Sequence, residues 1–335
     1  MPGKLIVDEI EDSGGTSVIG RKNAIINGNF DIWQRGTSVT GQTSDQYLAD
    51  RWYFVDSGAT YSYQQGSFTV GQTDVPNNPK YFANLTITGA DDSARLEQRI
   101  EDVYTFAGET VTLSFYAKYT SNAPTDFDVQ ILQYFGSGGS TSVLTTAATG
   151  QTLTTSWQKF TYTISVPSIS GKTVGSGSYL TIRPVINTNN ETFDYQLAQV
   201  QVEKGSVATD FEVRLIAEEQ NLCDRYFQSF GGDESSGFET MAAGLAVTTT
   251  QFRGYMAFRC KMRTLPSSTV TGDFEANGQD TVETNTESII RQGTSMGEFN
   301  ALFDSARTLG RSYNVRTKSD TSARFQLDAE LWLVQ

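Results

Sequence analysis

The sequence contains no histidine and only two cysteines, Cys223 and Cys260, among its 335 residues. Without histidine the chain lacks the general base of Ser-His-Asp and Cys-His mechanisms, and it lacks imidazole ligands for a metal ion. No cysteine cluster, Walker loop or dinucleotide fingerprint is present. Two isolated cysteines are typical of buried free thiols, although one bridge between them stays open. We therefore predict a protein that is not an enzyme and that holds no cofactor.

Basic residues are also scarce, because 25 Lys and Arg stand against 38 Asp and Glu and give a net charge of -13. Nucleic acids and anionic membranes favour basic partners, since their phosphates must be neutralised. No apolar run reaches membrane-spanning length, and the start shows no basic segment followed by an apolar one. We therefore expect no nucleic-acid binding, no membrane insertion and no secretion signal.

Apolar and polar side chains alternate through residues 21–213, as half-buried strands require. The clearest example is residues 110–118, and residues 159–166 repeat the pattern. In residues 198–203 the alternation predicts Ala198, Val200 and Val202 on one face, with Gln199, Gln201 and Glu203 on the other. About nine or ten such strands without a long helical window predict an all-β domain, an antiparallel β-sandwich of jelly-roll type.

The strand-like alternation stops after residue 213 and a helical spacing of apolar residues follows, so we predict a second domain over residues 214–335. Residues 215–227 carry apolar side chains at three- and four-residue spacing, which predicts a short helix. Alternating runs at 252–262 and 323–333 predict a smaller C-terminal β domain, and the polar residues 272–298 are predicted to be loops. Trp332 falls on the polar face of the last run, where a subunit interface is the favoured environment for tryptophan.

Residues 1–20 are predicted to form an anchoring strand or arm. Leu5 and Val7 lie in a short β-prone run that is followed by charges and two glycines. This run is too short to bury its own apolar side chains, so we expect Leu5 and Val7 to dock on another subunit. A frayed arm is the open alternative.

Six segments together carry a resemblance to a known family. They are residues 23–36, 49–52, 108–118, 157–160, 198–212 and 222–227. In this order they resemble bacteriophage virion structural proteins of the tail-fibre and receptor-binding type. In such proteins the first domain is similar to the jelly roll of carbohydrate-binding modules, and a short helix leads into a small C-terminal β domain.

The resemblance implies a homotrimer on the tail or surface of a virion, assembled in the host cytoplasm. The arm would bind other phage tail or virion proteins, and the domains would engage a glycan or protein receptor on the host. Capsid decoration and a baseplate or adaptor subunit are the architectural alternatives. A glycan-active enzyme would need paired carboxylates, for which the doublets at 91–92 and 101–102 are candidates. A cellular carbohydrate-binding module would need a secretion signal.

Sugars bind to aromatic faces, with amides and charged groups reading their hydroxyls. The candidates for such stacking are Tyr61, Tyr63, Tyr116 and Tyr134, whereas Trp33 and Trp52 lie in apolar strands and are predicted to be core. A structural calcium ion is a weaker prediction. Its candidate ligands are Asn27, Asn29 and Asp31, and the alternative is that their oxygens satisfy the backbone of a turn.

Overall fold

The computed structural model describes residues 22–55, 58–88, 94–124, 127–187, 192–231, 239–276, 280–281, 288–303, 306–317 and 323–331. The chain divides into two compact units. Unit 1 comprises Met1–Glu219 and Leu331–Gln335, and unit 2 comprises Gln220–Glu330. The sequence placed its domain boundary between residues 213 and 214.

Unit 1 is built from antiparallel strands. They are β1 (Ser38–Gln42), β2 (Gln46–Tyr47), β3 (Trp52–Val55), β4 (Thr60–Ser67), β5 (Tyr81–Thr88), β6 (Ala94–Glu101), β7 (Thr110–Lys118), β8 (Phe127–Tyr134), β9 (Val143–Gln151), β10 (Gln158–Ser165), β11 (Tyr179–Asn187) and β12 (Phe193–Lys204). One six-stranded sheet, sheet A, has the order β1-β4-β5-β12-β7-β10. The other, sheet B, has the order β2-β3-β6-β11-β8-β9. These two sheets confirm the predicted antiparallel jelly-roll sandwich.

The sandwich forms because strands of both sheets turn apolar side chains toward one core. In β7, Val111, Leu113, Phe115 and Ala117 are fully buried in the core that the two sheets share. The residues between them therefore point away from the core, as the two-residue period of a strand requires. The side chains that lie on this outer side of sheet A form the surface described below.

A bulge in β12 corrects the predicted pattern around Ala198. Ala198 lies opposite Tyr116 and Gln201 lies opposite Ser114, with a register shift between the two pairs. Gln199 adopts a positive φ of 47° within this irregularity. Because the bulge adds a residue to one strand, Ala198 shares the outer side with Gln201, while Val200 stays in the core. The prediction that Ala198 and Val200 share a face was therefore wrong.

The predicted short helix is α1 (Ile216–Asp224). The strands after it are β13 (Phe227–Phe230), β14 (Thr240–Ala246), β15 (Gln251–Ala257), β16 (Ser267–Thr271), β17 (Phe274–Ala276), β18 (Asp280–Thr281), β19 (Ser288–Gln292), β20 (Met296–Leu302), β21 (Ser312–Thr317) and β22 (Arg324–Asp328). They form a three-stranded sheet, β13-β22-β16, and a seven-stranded sheet, β18-β17-β21-β14-β15-β20-β19. This arrangement confirms a smaller C-terminal β domain. The predicted loop at 272–298 is corrected, since β17, β18 and β19 lie within it.

Among the described residues, no helix has the length and apolar character that crossing a membrane requires.

Candidate functional site

The outer side of sheet A carries a row of polar side chains on neighbouring strands. Gln196 on β12 lies opposite Asn84 on β5 and opposite Lys118 on β7. The Gln196 side-chain amide donates a hydrogen bond of 3.3 Å to Asn84 Oδ1. Gln196 is 7% exposed, and its Oε1 accepts no hydrogen bond from the described residues. A buried acceptor without a donor is costly to the fold, so this oxygen marks a polar position beneath the surface.

Three half-buried rings, Phe68, Phe82 and Trp157, form an aromatic platform beside this row. Their centroids lie 4.9 Å (Phe68–Phe82), 5.2 Å (Phe68–Trp157) and 5.4 Å (Phe82–Trp157) apart. The Lys118 ammonium lies 5.3 Å from the centre of the Trp157 ring. Gly66 on β4 lies opposite Phe82 on β5, and the Phe82 ring occupies the space that a Cβ at position 66 would need. Glycine at this position therefore allows the platform to lie close to the sheet.

A small cleft adjoins the polar row along β7 and β12, and we refer to it as the Tyr116 cleft. Its lining residues are Pro76, Asn77, Ser114, Tyr116, Lys159, Gln199, Asp210 and Phe211. The Gln199 amide donates a hydrogen bond of 2.7 Å to the Pro76 carbonyl. Gln199 Oε1 has no hydrogen-bond partner among the described residues, although the residue is only 3% exposed. The β12 bulge thus places a second buried acceptor without a donor beside the cleft.

The cleft holds a volume of about 20 Å³, which is room for about one water molecule. A larger ligand would therefore lie across the cleft instead of inside it. Burial, and secondly the negative charge of Asp210, raises the pKa of the Tyr116 hydroxyl above its ordinary value. The hydroxyl is therefore protonated at neutral pH and can donate a hydrogen bond.

The loop beside β12 is fixed by one buried carboxylate. Asp194 accepts hydrogen bonds from the backbone amides of Thr120, Ser121 and Asn122 and from the hydroxyls of Thr120 and Ser121. Burial acts to raise the pKa of Asp194, but these hydrogen bonds outweigh burial and lower it. The carboxylate is therefore charged and fully occupied by the protein.

Two of the predicted glycan residues, Tyr61 and Tyr63, lie in the core. Tyr61 is 1% exposed and Tyr63 is 0% exposed. The Tyr61 ring stacks on Phe54 with 3.9 Å between centroids, and its hydroxyl donates 2.7 Å to the Ser44 carbonyl. The assignment of these two tyrosines to a sugar-stacking surface is corrected, because both rings face the inside of the sandwich.

Tyr116 and Tyr134 are half-buried, but the structure does not bring them together. Tyr116 lies on the outer side of sheet A, whereas Tyr134 belongs to β8 in sheet B. The Tyr134 ring packs against Tyr179 at 4.7 Å, and the Arg99 guanidinium lies 5.2 Å from the Tyr179 ring. A role of Tyr134 in ligand binding stays a separate prediction. Leu5, Val7 and Trp332, the predicted interface residues, lie outside the described residues.

The predicted calcium ligands do not act as a set. Asn27 is fully buried, and its side-chain amide donates to the carbonyls of Ile32 (2.8 Å) and Asp50 (3.0 Å). Asn29 donates a 3.0 Å hydrogen bond to Asp31. Within the described ranges, no group of three or more Asp, Glu or Cys side chains is placed to hold a metal ion. The structural calcium stays a prediction, and the Asn27 side chain is already hydrogen-bonded to the backbone of Ile32 and Asp50.

Sequence reasoning missed the platform and both glutamines. Phe82 shares the outer side of β5 with Asn84, while Ala83, Leu85 and Ile87 are buried. An aromatic residue at a polar position of an alternating strand is the signal that could have found the platform. Trp157 precedes its strand, so the alternation gave no face for it. The orientation of Gln199 depends on the β12 bulge, which no pattern in the sequence marks.

No family model matches the chain, and no curated protein matches it. Solved structures with similarity include a CBM22-GH10 fragment of the Clostridium thermocellum xylanase Xyn10B (TM-score 0.36, 11% identity, 55% of this chain and 29% of that chain). The C-terminal family 22 carbohydrate-binding module of the same enzyme matches with TM-score 0.35 and 13% identity, over 60% of this chain and 100% of that one.

The enzymatically active domain of tailspike protein 4 from bacteriophage CBA120 is also similar, with TM-score 0.33 and 14% identity. That match covers 54% of this chain and 21% of the tailspike chain. This chain therefore spans less than a third of the xylanase fragment and about a fifth of the tailspike domain. Because these TM-scores are low, the similarity does not assign a function, and the function must be inferred from the chemistry of the site.

Proposed function

We propose that this protein binds a glycan on the outer side of sheet A, across the aromatic platform and the Tyr116 cleft. The observation that carries the proposal is the placement of the half-buried rings Phe68, Phe82 and Trp157 on one sheet face with half-buried polar side chains, those of Asn84, Tyr116 and Lys118. Aromatic rings stack on the C–H face of a sugar, and amide, hydroxyl and ammonium groups form hydrogen bonds with its hydroxyls.

The shape of the surface fits binding without catalysis. The cleft is too small to enclose a sugar ring, so a chain of sugars would lie along the sheet with one ring on the platform. The role that we propose is recognition, with no chemical step performed on the glycan.

Replacing Trp157 by alanine is expected to weaken glycan binding about ten-fold or more, because truncating a central aromatic contact commonly costs over 1 kcal/mol. Tyr116→Ala should weaken binding too. Tyr134→Ala is the comparison variant, because it removes the other half-buried tyrosine that the sequence predicted to stack on a sugar, on the outer face of sheet B. Purified variants would be tested on a glycan array and then by calorimetry. Wild-type protein that binds no glycan, or binding that depends on Tyr134 and not on Trp157, would reject the proposal.

We further propose that the binding unit belongs to a trimeric phage tail-fibre or tail-tip subunit that engages the host surface. The sequence resemblance supports this setting, with residues 1–20 as the anchor to other virion proteins. A capsid decoration or a baseplate adaptor remains the alternative. Gold-labelled antibodies against the chain, viewed on intact particles, would separate the two, since label on the capsid shell contradicts a fibre.

Light scattering should give the mass of three chains for the purified protein, both with and without residues 1–20. This result is expected because the two β units, and not the arm, would hold the trimer together, while sheet edges need covering. A monomer, or a trimer that dissociates when the arm is removed, would contradict the prediction and favour an adaptor subunit.

A further inference from the structure

The charge on sheet A departs from the charge of the whole chain. The chain has 38 acidic residues, yet the six strands of sheet A contain only Asp194 and Glu203. Both are at most 2% exposed. Asp194 is occupied by the loop at 120–122, and Glu203 accepts hydrogen bonds from Thr209 (2.7 and 2.8 Å) and Gln201 (2.9 Å). The strands of this sheet therefore present no exposed carboxylate to a ligand.

Two lysines lie on the same surface. Lys159 on β10 is opposite Tyr116, and Lys118 lies two residues further along β7. The two lysines are therefore diagonal neighbours, whose Cα atoms lie roughly 7–8 Å apart in paired strands. Lys118 approaches the Trp157 ring, and Lys159 borders the Tyr116 cleft. No carboxylate of a described residue forms a salt bridge with either lysine. By contrast, Lys204 at the end of β12 pairs with Glu109 at 3.2 Å.

We infer that the ligand of this surface is an acidic glycan, with a sugar carboxylate placed between Lys118 and Lys159 and an adjacent ring on the platform. This inference rests on the proposed glycan-binding function and adds the class of sugar. Lys118 is half-buried and Lys159 is exposed, and neither forms a salt bridge with a described residue. Two such cations beside a stacking surface match a uronic-acid unit, because its ring stacks while its carboxylate accepts from ammonium groups. The exposed Asp210 borders the cleft and would repel a second carboxylate there. The sugar carboxylate therefore belongs on the Lys118 side of Tyr116.

The test compares acidic polysaccharides with forms of themselves that lack charge. Polygalacturonate, alginate and hyaluronate, each beside its methyl ester, would be immobilised and the full-length chain passed over them in biolayer interferometry. We expect binding to at least one of the acids and a loss of about five-fold or more on esterification. Binding to the acid should weaken as sodium chloride rises, since salt screens exposed ion pairs.

The double variant Lys118→Gln/Lys159→Gln should lower the affinity for the acid by about ten-fold and leave any affinity for the ester nearly unchanged. The matched control is Lys172→Gln/Lys204→Gln, which makes the same charge change away from the platform. Lys172 also lies over a ring, 5.6 Å from that of Phe135. The control should bind the acid like the wild type, and thermal unfolding would show that both variants fold.

Each other outcome has a defined meaning. If acid and ester bind equally and Trp157→Ala removes both, the surface binds glycans but the acidic class is wrong. Binding to neutral sugars on the array, without binding to any of the three acids, overturns the inference in the same way. If neither the array nor these polysaccharides bind, the proposed function and the inference both fail. An equal loss in the control variant would show a net-charge effect and would also overturn the inference.

Discussion

Replacing Glu97 by glutamine is expected to lower the free energy of unfolding of unit 1 by about 3–5 kcal/mol, because breaking a buried ion pair leaves charges without compensation. The Glu97 carboxylate contacts Arg95 (3.1 Å), Arg99 (2.9 Å) and Arg183 (3.0 Å). Glu97 is 2% exposed and Arg99 is 0% exposed. Arg99 also donates to the carbonyl of Leu331, so its position depends on the same cluster. Urea unfolding followed by tryptophan fluorescence would measure the change.

The same cluster sets an acid limit on stability. Burial acts to raise the pKa of Glu97, but the three arginines outweigh burial and the pKa lies below its ordinary value. A lowered pKa in the folded state stabilises the protein above the unfolded value of about 4.3. This stabilisation is lost as the pH falls through the folded pKa. The difference between wild type and Glu97→Gln should therefore shrink below pH 4.

Glu109→Gln is the control for both measurements. Glu109 pairs with Lys204 at 3.2 Å, and both side chains are exposed, by 46% and 66%. Surface pairs contribute little, so we expect a change in the free energy of unfolding within about 0.5 kcal/mol. If Glu97→Gln and Glu109→Gln unfold alike at neutral pH, the arginine cluster does not stabilise the sandwich.

Much of the fold could be predicted because a strand that buries one face leaves a two-residue pattern. The pattern in β7 was unambiguous, and the structure buries Val111, Leu113, Phe115 and Ala117. The pattern failed at Ala198, because a bulge shifts the face without changing composition. It also failed for β17, β18 and β19, which are short pieces in a polar stretch where the alternation is weak.

The site was harder to predict because an aromatic residue fits both a core and a ligand surface. Tyr61 and Tyr63 alternate with Ser62 and Gln64, which is the pattern of a buried face, yet their aromatic rings also made them candidates for sugar stacking. A buried tyrosine needs only one hydrogen-bond partner, and the Ser44 carbonyl supplies it for Tyr61. Tyr116 instead alternates with the apolar residues Phe115 and Ala117 of its strand, and this position correctly predicts that it lies outside the core.

Replacing Asn27 by alanine is expected to lower the free energy of unfolding by about 3–4 kcal/mol, from three lost hydrogen bonds and backbone strain. The Asn27 side chain donates to the carbonyls of Ile32 and Asp50 and accepts from the Ile32 amide at 3.0 Å. Asn27 has a φ of 56°, a left-handed conformation that asparagine tolerates better than alanine. Its carbonyl also accepts the Trp52 indole N–H at 2.9 Å, so the turn supports a core residue.

Asn29→Ala separates this structural role from the calcium prediction. Asn29 is half-buried and donates to Asp31, so its loss should cost no more than about 1 kcal/mol if no ion is bound. Unfolding curves with 5 mM CaCl₂ and with EDTA should then coincide for the wild type, leaving Asn27→Ala as the only large change. If EDTA destabilises the wild type and Asn29→Ala removes that sensitivity, the turn binds calcium. In that case Asn27 would still organise the turn, because its side chain forms hydrogen bonds with three backbone groups of Ile32 and Asp50.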